Sequence, residues 1–169
     1  MTSKPATVAN SSKQSASTRK DLFDLLRARG FSFLPARDPD AFELGHMRYP
    51  TFIRAGVRVA IQSGRCLGED RGTAMIYDSD RTDVVVWGLR TEATSRRKGL
   101  ARAAMMEILA CADETGVTLF LEPVPLEKSA ANRAALQAFY ASLGFSPTGP
   151  KCVVMERAPA KTAKARRTR

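Results

Sequence analysis

The clearest periodic pattern of apolar positions runs from Leu100 to Gly116. Apolar residues recur there every three or four positions, which is the period of a helix with one buried face. They form two adjacent rows, Leu100, Ala104, Ile108 and Ala112 in one and Ala101, Met105 and Leu109 in the other. A stripe of alanine and methionine is typical of core packing. We therefore predict a helix that buries this stripe and ends at Gly116.

Three short runs before this helix have the composition of strands. They are Val57 to Ile61, Thr73 to Tyr77 and Asp83 to Thr91, with turn-like residues between the last two. Strands joined by tight turns predict an antiparallel meander. The consecutive apolar residues from Val84 to Trp87 indicate that the third strand is buried on both faces.

The second half of the chain continues the alternation of helix and strand. Val117 to Leu121 predicts a strand that runs parallel to the strand before the helix, as in a right-handed β-α-β unit. A second helix is predicted from Ala130 to Leu143, with Ser129 as its N-cap and Gly144 after its end. Cys152 to Glu156 predicts a final strand. The pattern as a whole indicates an α/β protein with a mixed central sheet and helices on both faces.

The first third of the chain is less regular. Apolar residues on one side predict a short helix from Arg19 to Arg29, which stops at Gly30. Three prolines interrupt residues 31–50, and the pattern there predicts no further element.

Candidate chemistry lies in the turn that opens the predicted helix at Leu100. The turn reads Arg96-Arg97-Lys98-Gly99-Leu100-Ala101. Unpaired backbone N–H groups and the positive helix end make such a turn suitable for binding phosphate. Its single glycine does not fit the spacing of a dinucleotide fingerprint or a P-loop. The simpler alternative is a helix start with three solvated basic residues.

Two motifs in this part of the chain resemble those of a known family. The pattern R-x-x-G-x-A from Arg96 to Ala101, after Leu89 and Thr91, is similar to motif A of the GNAT acyl-CoA N-acyltransferases. Some fifty residues later, Tyr140 to Phe145 resembles the Y-x-x-L-G-F signature that ends another helix of that superfamily. The resemblance covers roughly residues 82 to 159. It implies the GNAT fold, in which two central parallel strands splay apart, here Asp83 to Thr91 and Val117 to Leu121.

The resemblance also implies a site for CoA. The backbone around Arg97 to Ala101 would hold the pyrophosphate, and the side chains of Arg96, Arg97 and Lys98 would add positive charge. Gly99 would allow close approach of the backbone. The backbone of the strand end would pair with the pantetheine arm, and one of its N–H groups would polarise the thioester carbonyl. The predicted cofactor-binding residues are Leu89, Arg90, Thr91, Arg96, Arg97, Lys98, Gly99, Leu100 and Ala101.

Three residues are candidates for catalysis. By resemblance, Tyr140 is the general acid for the departing thiolate; its alternative role is a core aromatic beside Phe139. Glu92 and Glu122, each at the end of a predicted strand, are candidate bases for the amine, or else solvated strand-end residues. The sequence departs from the family at Arg133, where an asparagine is common. Asn132 lies one position early, so its role is not carried over.

The net charge of +10 is concentrated at the ends of the chain. Residues 1–20 and 157–169 hold ten basic residues and no acidic ones, and residues 21–156 are balanced. This predicts a disordered basic leader at 1–19, a folded domain at 20–157 and a disordered basic tail at 158–169; the resemblance implies that the folded part is a GNAT domain. The tails are either solvating segments or sites of weak contact with nucleic acid.

Other features narrow the class of protein. The three cysteines are far apart and there is one histidine, so neither a disulfide framework nor a metal site is expected. No apolar run is long enough to span a membrane, and membrane contact is not expected. Reduced thiols favour a cytoplasmic location. Oligomeric state is left open, with a homodimer as one candidate.

Two hypotheses for function follow. The first is an enzyme that transfers an acetyl group from acetyl-CoA to the amine of a small molecule or peptide in a ternary complex. The second is a non-catalytic GNAT-like module that binds CoA or associates with nucleic acid. A variant of the first, a toxin that acetylates aminoacyl-tRNA, is a minor alternative.

Overall fold

The structure is a computed structural model that describes residues 22–67, 74–77, 83–125, 130–149 and 152–160. Its helices are α1 (residues 22–28), α2 (Leu100–Thr115) and α3 (Ala130–Ala141), with a 3-10 turn at Ala93–Ser95. Its strands are β1 (Ser32–Leu34), β2 (Phe42–Leu44), β3 (Met47–Tyr49), β4 (Thr51–Arg54), β5 (Val57–Leu67), β6 (Ala74–Tyr77), β7 (Val84–Thr91), β8 (Leu119–Leu121), β9 (Ser146–Pro147) and β10 (Met155–Arg157). The predicted leader, most of the predicted tail, and Ser129 lie outside the described residues.

The main sheet has the strand order β1-β4-β5-β7-β8-β10-β9, and β6 pairs with the far end of β5. Neighbouring strands are antiparallel except β7 and β8, which are parallel and are joined through α2. This mixed sheet confirms the predicted α/β fold class and the β-α-β unit. A separate hairpin of β2 and β3 packs beside it.

One predicted pairing is wrong. A meander would place β6 between β5 and β7, but β7 pairs directly with β5 from Val57 to Ser63. β6 pairs instead with Gly64 to Leu67, the last part of the same strand. At 11 residues, β5 is long enough to hold one partner at each end, which the short apolar run at Val57 to Ile61 does not indicate.

The core forms where α1, α2 and the end of α3 pack on the sheet. Fully or nearly buried members include Leu22 and Leu26 of α1, Met105 and Ile108 of α2, and Leu143 after α3. The predicted stripe of α2 is therefore buried from Ala104 to Ala112, whereas Leu100 and Ala101 at its start are only half-buried. Gly116, in a left-handed conformation with φ of 73°, caps α2 through an N–H bond to the Ala112 carbonyl.

Ion pairs attach neighbouring elements to α2. Arg29, just after α1, pairs with Glu107 and Glu114 of α2. Arg157 of β10 makes a bidentate contact with Asp113 of α2, with N–O distances of 2.8 and 2.9 Å. In the described part of the chain, no helix is both long and apolar enough to cross a membrane.

A second, smaller cluster involves the β2–β3 hairpin. Phe42 and Tyr49 of the hairpin pack with Ala60 of β5 and with Trp87 of β7. The buried Thr51 hydroxyl accepts from the Phe42 N–H at 2.7 Å and donates to the Tyr49 carbonyl at 2.8 Å. These bonds fix the hairpin to the start of β4. The four strands β1 to β4 were not predicted, because each has only three or four residues in a proline-interrupted segment.

Candidate active site

The parallel strands β7 and β8 separate within the sheet. They pair only from Val84 to Val86 and from Leu119 to Leu121. β7 continues for five residues to Thr91, still paired with β5 on its other side, whereas the chain leaves β8 after Leu121. Among the described residues, the edge of β7 from Trp87 to Thr91 that faces β8 has no strand partner. Its backbone groups can therefore pair with an extended ligand.

A β-bulge lies at the point of separation. The register of β7 against β5 changes from Ala60 opposite Gly88 to Ile61 opposite Val86, so Trp87 has no opposite residue. A bulge bends its strand and re-aims the adjoining groups, and bulges are common next to active sites. The Trp87 ring stacks on Tyr49 with centroids 5.1 Å apart. Its buried indole N–H has no acceptor in the described structure. Sequence analysis missed this feature, because it depends on pairing with β5.

The basic turn at the start of α2 has an unusual backbone. Arg97 has a φ of 61° and Gly99 a φ of 75°, and a positive φ is uncommon for a residue with a side chain. In the described part of the chain, no side chain caps α2 and the backbone N–H groups from Arg97 to Arg102 have no protein acceptor. Successive free N–H groups around left-handed residues form a concave anion site. The predicted phosphate-binding turn therefore has a suitable geometry.

The basic side chains of this turn are accessible. Arg96, Arg97 and Lys98 are exposed, and Arg96 Nε also donates to the Thr91 carbonyl at 3.4 Å. A Cβ on Gly99 would meet nothing within 4 Å. Within the protein itself, the feature that requires glycine is the positive φ rather than lack of space.

Tyr140 lies in the last turn of α3 and is 6% exposed. Its ring makes edge contacts with Phe139 and Phe145, at centroid distances of 5.1 and 5.8 Å. Burial raises the pKa of Tyr140 to about 12, so the phenol is protonated at neutral pH. Its hydroxyl has no hydrogen-bond partner among the described residues.

One polar contact joins this turn to the phosphate-binding turn. Arg102, in the first turn of α2, donates from Nη1 to the Ser142 hydroxyl at 2.9 Å. Ser142 follows Tyr140 by two residues. The first turn of α2 and the turn that follows α3 are therefore in contact. The sequence motifs do not indicate this contact.

The two candidate carboxylates lie at different places. Glu122 directly follows Leu121, where β7 and β8 separate, and it is exposed. Glu92 is exposed at the far end of β7, where its N–H donates to the Gly56 carbonyl at 3.0 Å. Its Oε2 is 3.3 Å from the position that a Cβ on Gly56 would occupy. The structure therefore does not bring the two carboxylates together.

A protein-family comparison agrees with this architecture. The model of the Acetyltransferase (GNAT) family matches residues 22–145. The chain belongs to the GNAT family. This confirms the family suggested by the two motifs. No curated protein matches the chain significantly.

Three solved structures are similar to the chain at low identity. A mutant of the toxin AtaT, bound to acetyl-CoA and the C-terminus of the antitoxin AtaR, is 16% identical, with 72% of this chain and 73% of that chain covered and a TM-score of 0.41. The KacTA–DNA complex is 14% identical over 72% and 74%, with a TM-score of 0.42. YhbS from Escherichia coli, in complex with CoA, is 17% identical over 96% and 88%, with a TM-score of 0.36.

Proposed function

We propose that this GNAT protein transfers an acetyl group from acetyl-CoA to an amine by direct attack in a ternary complex. The observation that carries the proposal is the combination of two features in one β-α-β unit. β7 has an unpaired edge after Val86, and the turn from Arg97 to Arg102 presents free N–H groups at the start of α2. The first suits the pantetheine arm and the second suits the pyrophosphate of one extended ligand.

CoA would lie along the open edge of β7, with its pyrophosphate at the start of α2 and its thioester toward the bulge. Its pyrophosphate would accept from the N–H groups of Arg97 to Ala101, with Arg96 and Lys98 adding charge. The pantetheine amides would pair with Leu89, Arg90 and Thr91 as an added strand does. The thioester would then lie near the bulge, where an N–H of β7 could polarise its carbonyl.

The reaction would proceed by one nucleophilic substitution. The neutral amine attacks the thioester carbon, a C–N bond forms, and the C–S bond then breaks to release CoA thiolate. The amine proton would pass to a carboxylate, directly or through water. Glu122 is the better placed candidate because it lies where the two strands separate, and Glu92 lies at the phosphate end of β7.

Tyr140 would assist departure of the thiolate. An ordinary thiol has a pKa of about 8.5, whereas burial raises the pKa of Tyr140 to about 12. With the pKa values of the empty site, complete transfer of the proton from the Tyr140 phenol to the CoA thiolate would therefore be unfavourable by roughly 5 kcal/mol. We therefore expect the phenol to donate a hydrogen bond to the sulfur as negative charge develops there. The phenol would give up its proton completely only if bound substrate lowered the difference between the two pKa values.

Calorimetric titration of acetyl-CoA and free CoA into the full chain tests the cofactor site. We expect micromolar binding that is lost when Arg97→Glu and Gly99→Glu are combined. The matched control is Arg37→Glu, which changes an exposed arginine between β1 and β2. This variant should bind acetyl-CoA and CoA as the wild-type protein does. A panel of amines is then screened for release of free thiol.

Each outcome of this experiment has a definite meaning. Binding with amine-dependent thiol release supports the transferase. Binding without turnover across the panel would favour a non-catalytic CoA-binding module. An intact protein that binds neither compound would remove the basis of the proposal.

A further inference from the structure

Arg102 occupies a position that helix stability does not explain. It lies in the first turn of α2, where the helix dipole is unfavourable to a positive side chain. It also lies next to a turn that is already rich in basic residues. A simple expectation is that its guanidinium points to the phosphate site. Instead it extends to Ser142, 40 positions later in the sequence, and donates from Nη1 to Oγ at 2.9 Å.

Ser142 is held firmly to the last turn of α3. Its hydroxyl donates to the Phe139 carbonyl at 2.6 Å, and its N–H donates to the Ala138 carbonyl at 3.0 Å. The hydroxyl therefore donates within α3 and accepts from Arg102. A cation at the C-terminal end of a helix is also favourable to that helix.

Tyr140 belongs to the same turn. Its carbonyl accepts from the N–H groups of both Leu143, at 2.9 Å, and Phe145, at 3.2 Å. A displacement of this turn would therefore displace the Tyr140 ring, which packs against Phe139 and Phe145. Within the described chain, the Arg102–Ser142 bond is the polar contact between the first turn of α2 and the last turn of α3.

We propose that Arg102 is a positioning residue, which holds Ser142 and so sets the distance between the phosphate-binding turn and the Tyr140 hydroxyl. The proposal rests on the proposed function. If the turn at Arg97 to Ala101 fixes the pyrophosphate end of CoA, the position of α3 decides whether the Tyr140 hydroxyl lies within hydrogen-bond distance of the thioester sulfur. Arg102 then affects the chemical step through Tyr140, rather than by binding phosphate.

Four variants of the full chain test this role. Arg102→Gln removes the bond because its amide ends two bonds short of Nη1 and carries no charge, and Ser142→Ala removes the acceptor. The double variant removes both groups, and Arg102→Lys keeps the charge and a longer donor. Arg37→Gln is the control for loss of one exposed positive charge. We expect kcat to fall about three- to tenfold in both single variants, with the Kd for CoA changed less than twofold. The double variant should be no worse than either single one, and Arg102→Lys should recover part of the loss.

Two further measurements separate positioning from a general structural role. In a Tyr140→Phe background, Arg102→Gln should cause no further loss of kcat, because the residue through which it acts is already changed. Amide hydrogen exchange of Leu143 and Phe145 should become faster in Arg102→Gln and Ser142→Ala, since their N–H groups report on this turn.

The contrary results are distinct. A tenfold weaker Kd for CoA in Arg102→Gln, with Ser142→Ala unchanged, would make Arg102 a phosphate ligand and overturn the proposal. So would a full additional loss of kcat in the Tyr140→Phe background, or unchanged amide exchange. If the wild-type protein has no turnover, the proposed function fails separately, and hydrogen exchange still decides whether Arg102 orders the Tyr140 turn.

Discussion

Val86 and Leu121 are the last residues at which β7 and β8 pair. β7 then continues to Thr91, whereas the chain leaves β8 at Glu122. At about 3.3 Å per residue, Glu92 is displaced from Val86 by roughly 15 to 20 Å along β7, and Glu122 stays beside the separation. The two carboxylates therefore lie at opposite ends of the open edge of β7.

This separation predicts different effects for the two carboxylates. Glu122→Gln should lower kcat by about a hundredfold or more, because a positioned general base typically contributes on the order of 10² to 10⁴. Glu92→Gln should change kcat by less than about threefold, since its carboxylate lies at the phosphate end. Steady-state kinetics with one active amine checks both. Equal and small effects would mean that neither residue is the base.

Gly99 and Gly116 provide a matched pair at the two ends of α2. Both have left-handed backbones, with φ of 75° and 73°, and a Cβ on either would meet nothing within 4 Å. Alanine at either position should lower the free energy of unfolding by about 1 kcal/mol. Only Gly99→Ala should also weaken CoA binding, by about tenfold, because it changes the direction of the free N–H groups. Urea denaturation and calorimetry measure the two effects, and equal CoA affinity in both variants would contradict the assigned phosphate site.

The burial of Tyr140 predicts a specific dependence on pH. Its pKa is raised from about 10 to about 12 in the folded state, so this group contributes no pH dependence to stability near neutral pH. Between about pH 10 and 12 the unfolded state loses the proton first, and stability should fall by about 3 kcal/mol. Tyr140→Phe should remove this part of the alkaline loss. The difference between the two proteins in urea denaturation at pH 8 to 12 measures it.

The same substitution tests the catalytic role of Tyr140. Tyr140→Phe should lower kcat by about ten- to a hundredfold, the effect of one lost hydrogen bond to a charged group, while the Kd for CoA stays within about twofold. The wild-type kcat should show no loss from ionisation of Tyr140 below about pH 11. A variant with normal kcat would assign Tyr140 to core packing alone.

The predictable parts of this molecule are those encoded locally. The apolar period of α2 and its end at Gly116 follow from side chains on one helix, and the parallel relation of β7 and β8 follows from the helix between them. The turn at Gly99 was predicted from basic residues and one glycine. The structure gives Gly99 a positive φ, and its role in binding phosphate stays a prediction.

The other parts depend on contacts between distant residues. The bulge at Trp87 exists only relative to β5, and the bond from Arg102 to Ser142 joins residues 40 positions apart. β1 to β4 are too short to show a period. Glu92 and Glu122 looked equivalent in the sequence, because the point at which β7 and β8 separate is not encoded in either strand alone.

The last prediction concerns the packing of the hairpin on β7. A Cβ on Gly88 would lie 2.5 Å from two ring carbons of Phe42, and Phe42 is buried and bound through its N–H to Thr51. Gly88→Ala should therefore cost about 1 to 3 kcal/mol, as overpacking does. Phe42→Leu removes the ring carbons, so the double variant should be more stable than the sum of the single losses predicts, by about 1 kcal/mol or more. Strictly additive losses in urea denaturation would show that the hairpin does not rest on β7 in this way.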